Sequence, residues 1–164
     1  MKALLTALLT LIAVSPALAD DHVVRWDDMI GVIAQVGETN PVADIDSGTF
    51  PWSARSGVAV VNFTSGHFAF DVQGLVINGT QFTGTPGPVT SVIGTLVCDA
   101  GQTTERILDS QPTPLTQRGR AHGSGTFENI PAPCGNPLFL IRISTPAGAA
   151  GRWIATGAER HTQN

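Results

Sequence analysis

The sequence predicts an all-β chain: a single-domain antiparallel β-sandwich, or a small barrel, of about seven strands with one disulfide, preceded by a cleaved signal peptide. Three observations carry that prediction. From residue 57 onward the pattern is that of strands, in short apolar runs and in stretches such as His67 to Val72 that alternate with a period of two. Gly and Pro, 18 and 11 in number, punctuate these runs, while the apolar fraction of 42% is high enough to fill a core. No convincing helical pattern follows residue 36. The sandwich is the preferred form, because one cysteine ends a strand and the other stands just before another.

The amino terminus comes first. Met1-Lys2 sets one positive charge before Ala3 to Val14, an apolar stretch relieved only by Thr6 and Thr10. Ser15-Pro16 breaks it, and Ala17-Leu18-Ala19 supplies the small residues that a signal peptidase reads. Residues 1–19 are therefore expected to be removed. A membrane anchor is the competing reading, but spanning a bilayer takes about 20 apolar residues, and this run is shorter. Asp20, not Cys, follows the cut, so the lipoprotein signature is missing. The expected address is secreted, extracellular or periplasmic, with no transmembrane segment in the mature chain.

Cleavage also removes Lys2, the only lysine. Eight Arg then face thirteen Asp plus Glu, a net charge of −5. Nucleic acid and anionic membranes are recognised by basic patches, so this balance argues against both. In an oxidising compartment Cys98 and Cys134 should pair. His122 has no second histidine at ligand spacing, which argues against zinc.

Residues 20–56 read as an irregular N-terminal segment. Trp26, Met29, Ile30 and Ile33 fall at helical spacing, whereas Gly31 and the β-branched content favour a strand, so residues 23–36 stay open between the two. The sandwich core is assigned to residues 57–158. Val58 to Phe63 reads as a buried strand, and His67 to Val72 alternates. Gly74 shifts the phase, as a bulge would. Asn78-Gly79 suits a two-residue hairpin between Val76-Ile77 and Gln81-Phe82. Val92 to Cys98 is the next strand, and Arg106-Ile107-Leu108 is a short candidate. Arg120 to Ile130 alternates with Arg120, His122, Ser124, Thr126 and Glu128 outward. Phe139 to Ile143 and Trp153 to Thr156 form a closing pair joined through Gly148 to Gly151, and residues 159–164 make a polar tail.

Chemistry-bearing motifs are sparse. Ala121-His122-Gly123-Ser124-Gly125 has the wrong spacing for a nucleophile elbow and no helix after it. Asp44-Ile45-Asp46-Ser47-Gly48-Thr49 resembles half a calcium loop, but it lacks the remaining ligands and reads better as an Asx-rich turn. His67, Asp71, His122 and Glu128 share outward positions and form a candidate polar face. Within one strand, His67 and Asp71 stand about 13 Å apart, so a site needs cross-strand partners. Cleavage after Ala19 would expose Asp20-Asp21-His22, whose amine, amides and imidazole suit square-planar Cu(II) or Ni(II). Trp26, Trp52 and Trp153 are either a sugar-stacking platform or core fillers, and the small aromatic content favours the core.

Two functional classes follow. The first is a secreted, non-enzymatic binding or structural module for a protein or glycan partner, using no cofactor. The alternative is a small exported domain that is either metal-binding at His22 or hydrolytic at the His67/Asp71/His122/Glu128 set.

Overall fold

The structure is a computed structural model that describes residues 22–163. The expected signal peptide, together with Asp20 and Asp21, lies outside that range. Eleven strands are present in chain order: β1 (Val23–Gly31), β2 (Trp52–Ser53), β3 (Ser56–Asn62), β4 (His67–Gln73), β5 (Val76–Ile77), β6 (Ser91–Cys98), β7 (Arg106–Asp109), β8 (Thr113–Pro114), β9 (Ala121–Thr126), β10 (Leu138–Ser144) and β11 (Ala150–Gln163). Among the described residues none is helical, and the chain is all-β.

The main sheet is antiparallel and runs β7-β6-β10-β11-β1-β3-β4-β9, with β8 paired to the start of β6. The choice between sandwich and barrel resolves as one sheet curled over its own core, beside a two-stranded ribbon of β2 and β5. Curling brings the far ends together, since a Cβ at Gly123 on β9 would stand 2.8 Å from the Thr113 hydroxyl on β8. It also lets rings from distant strands meet: Phe70 of β4 lies 5.8 Å from Phe139 of β10, centroid to centroid.

β4 and β9 show how the sequence writes this packing. Phe68 and Phe70 face inward, and their register partners on β9 are Gly125 and Gly123. The glycines leave room for the rings. A Cβ at Gly123 would sit 2.4 Å from Phe70 Cε1, far inside contact distance. Gly94, on the opposite wall, yields to the same ring at 2.8 Å.

β1 settles the helix-or-strand question in favour of strand. It pairs with β11 in one unbroken register from Val23↔Gln163 to Gly31↔Ala155. The helical spacing arises because β1 changes its buried face midway: Val24 and Trp26 are buried, then Met29 and Gly31. That switch inserts a three-residue step into a period of two. Ile30 and Ile33, which a helix would have buried, are exposed.

Other expectations change. The sheet begins at Val23, well before residue 57, and the polar segment from residue 159 continues β11 as far as Gln163. Gly74 is not a bulge. Its φ of +65° ends β4 and turns the chain toward the ribbon. Asn78-Gly79 does not close a hairpin, because β5 pairs with β2 and Gln81-Phe82 belong to a turn. A two-residue connection does form at Val42–Ile45, where Ala43 and Asp44 both take positive φ and the flanking amides bond reciprocally. That is primed-turn geometry without a glycine. The β10–β11 hairpin forms as expected, with Gly148 at positive φ in its loop.

Trp26, Trp52 and Trp153 are all buried, as core residues and not as a platform. Trp153 donates its indole N–H to the Asn40 carbonyl at 2.9 Å, which satisfies the one polar atom it buries. Cys98 and Cys134 form the expected disulfide, tying the end of β6 to the segment before β10 across 36 residues.

Candidate functional site

Strand alternation decides what the outer side of β4 and β9 presents. With Phe68, Phe70 and Val72 turned inward, His67, Ala69, Asp71 and Gln73 must turn outward. On β9 the outward set is His122, Ser124 and Thr126, all exposed, with Arg120 exposed just before the strand. The register sets His67 opposite Thr126, Ala69 opposite Ser124 and Asp71 opposite His122.

Asp71 is the hub. Its Oδ1 accepts from Gln73 Nε2 at 3.2 Å. Its Oδ2 faces Arg120 Nη2 at 3.3 Å and His122 Nδ1 at 3.5 Å. The Asp71 side chain is 25% exposed, while those of Arg120 and His122 are 63% and 65% exposed. Ion pairs so open to water contribute about 0–1 kcal/mol each. The arrangement therefore orients side chains more than it stabilises the fold.

Of the four residues grouped by sequence, the structure joins only Asp71 and His122. His67 stands at the opposite end of β4 from Gln73, paired with Thr126. Glu128 lies beyond β9, in the wall of a separate groove of about 430 Å³ beside the Thr64-Ser65-Gly66 turn. Ser124, the nearest hydroxyl on the same face of β9, is two residues from His122, about 7 Å along the strand.

The remaining candidates fall apart from this face. His22 is exposed, its ring 5.3 Å from that of Phe63 and its carbonyl accepting from the Phe63 amide at 2.8 Å. Its intended partners Asp20 and Asp21 lie outside the described residues. Asp44 and Asp46 both line a shallow pocket together with Arg142 and Arg152. Asp46 faces Arg152 at 3.9 Å, and the loop docks on β11 through the Gly48 amide and the Trp153 carbonyl at 2.7 Å. Among the described residues no group of three or more His, Cys, Asp or Glu side chains is placed to hold a metal ion.

Sequence reasoning missed Arg120 and Gln73 as partners of Asp71. Arg120 stands 49 residues from Asp71, and only the pairing of β4 with β9 brings them together. No family model matches the chain, and neither does any curated protein or solved structure.

Proposed function

We propose that the chain is an exported, non-enzymatic binding module that meets a protein or glycan partner through the outer face of β4 and β9. The observation that supports this reading is the hub itself. Asp71 engages Arg120, His122 and Gln73 on a face open to solvent. Acid–base catalysis favours groups that converge in a sheltered pocket with a reacting partner in reach. Recognition needs fixed polar groups that a partner can cover, and this face offers them. The signal-peptide pattern at residues 1–19 and the Cys98–Cys134 bridge support export into an oxidising compartment. Among the described residues no helix is long and apolar enough to cross a membrane.

The test combines a glycan array with a turnover screen on residues 20–164. Binding to at least one glycan class, weakened in His122→Ala, is the expected result, with no turnover of ester, glycoside or phosphoester substrates. Turnover that falls in Asp71→Asn would overturn the binding reading.

A further inference from the structure

We propose that a cavity at the end of this face, walled by Arg55, Arg118 and Arg120, is an oxyanion site for a carboxylate or sulfate group on the partner. The proposal rests on the binding reading above and names the chemistry of its ligand. The cavity is open to solvent, has a volume of about 490 Å³ and is completed by Gln73, Gly74 and the turn at Thr116-Gln117.

Charge makes the concentration notable. After the expected cleavage the chain has eight arginines and no lysine against thirteen acidic residues. Three of those arginines share this one cavity. Arg120 has Asp71 as a counter-ion, but Arg55 and Arg118 have no carboxylate partner among the described residues. Arg55 instead donates from Nη2 to the Gln73 amide oxygen at 3.3 Å, so one neutral acceptor fixes its direction and leaves its charge uncompensated. Guanidinium groups present paired donors that match the two oxygens of a carboxylate or sulfate.

The backbone is built to bring these arginines together. Gly119, at φ +71°, lies against Leu75, where a Cβ would be 2.4 Å from the Leu75 carbonyl oxygen. The Leu75 amide donates to the Gly119 carbonyl at 2.9 Å. Arg118 and Arg120 flank that glycine and are thereby held beside the end of β4. Across the cavity, Gly74 at φ +65° gives way to Arg55, whose Cβ would be 2.8 Å from a Cβ at position 74. The Arg55 amide then bonds to the Gln73 carbonyl at 2.8 Å. Only glycine is easily placed at these two positions.

Isothermal titration of residues 20–164 with three probes tests the site: inorganic sulfate, a sulfated disaccharide and a uronate-bearing disaccharide. A neutral disaccharide serves as control. Binding by at least one charged probe and not by the control is expected, weakened by added salt. Arg55→Gln with Arg118→Gln should weaken it at least about tenfold, the size expected for losing charged, forked contacts. Arg55→Lys with Arg118→Lys should fall between, and Arg106→Gln, on exposed β7, should change nothing. All three exchanges lie at exposed positions, and unchanged melting temperatures will show that the variants fold. The stronger of the two disaccharides identifies which oxyanion the partner carries. Absence of binding to all three charged probes would overturn the proposal, as would undiminished binding by the double Gln variant. If a glycan is bound in a His122-dependent way while the double Gln variant is unaffected, the binding module stands and the oxyanion site falls.

Discussion

The ring of Phe70 occupies the space that a side chain at Gly94 would need. It reaches across the curled sheet to within 2.8 Å of where that Cβ would stand. The same ring crowds Gly123 at 2.4 Å, so two glycines from different strands accommodate one aromatic residue. Gly94→Ala and Gly123→Ala should each destabilise the protein by about 1–3 kcal/mol through overpacking. In a Phe70→Leu background the same exchanges should cost less, and a double-mutant cycle in urea measures that coupling. Additive costs would show that the ring is not what excludes the side chain.

The Cys98–Cys134 bridge closes a loop of 36 residues in sequence separation. Restricting the unfolded chain to that extent contributes roughly 3–4 kcal/mol in the loop-entropy model. Replacing both cysteines with alanine should lower the urea midpoint accordingly. Thiol titration of the unfolded, unreduced protein should find no free cysteine.

How much of this was legible in the sequence depends on whether the signal is local. Alternation along His67–Val72 and from Arg120 gave β4, β9 and their outward residues, because a strand's two faces are written in consecutive positions. The disulfide followed from two cysteines and the expected export of the chain. The ribbon of β2 and β5 was not legible, since Trp52 and Ile77 are partners only through tertiary pairing. Asn78-Gly79 looked like a hairpin turn because its local chemistry is right, yet the pairing of Trp52 with Ile77 takes precedence. β1 looked partly helical for a physical reason, the switch of its buried face between Trp26 and Met29. Arg55 lies far in sequence from Arg118 and Arg120, so the cavity has no linear motif. The one local hint was Arg118-Gly119-Arg120, two arginines around a turn glycine in a chain otherwise poor in cations.

Ala43 and Asp44 adopt φ of 50° and 55° in the tight turn that closes Val42 against Ile45. Left-handed backbone costs a non-glycine residue about 1–2 kcal/mol. Exchanging the pair for Asn-Gly, the sequence such a turn prefers, should stabilise the protein by about 1 kcal/mol. Thermal unfolding would register this as a higher midpoint.

Arg142 is held on the outer side of β10 with its side chain only 12% exposed. Its guanidinium donates to the carbonyls of Gly151 at 2.7 Å and Ala150 at 3.0 Å, and to Asp109 at 3.2 Å. Asp109 also accepts from the buried Thr95 hydroxyl at 2.6 Å. A lysine cannot span these acceptors with one fork. Arg142→Lys should therefore cost roughly 2 kcal/mol in urea denaturation. A lysine variant as stable as the parent would show that charge alone suffices.

Export makes its own prediction. Mass spectrometry of the secreted or periplasmic protein should find Asp20 as its first residue. A product retaining Met1 in the membrane fraction would contradict the cleavage expected after Ala19.

The most direct test of the binding face is a titration of ¹⁵N-labelled residues 20–164 followed by amide chemical shifts, with the sulfated and uronate disaccharides as probes. Shifts confined to Arg55, Gln73, Gly74, the Thr116–Arg120 turn and the neighbouring His122 are expected. Shifts centred elsewhere on the sheet would contradict the assignment of this face, and none with either probe would contradict its oxyanion site.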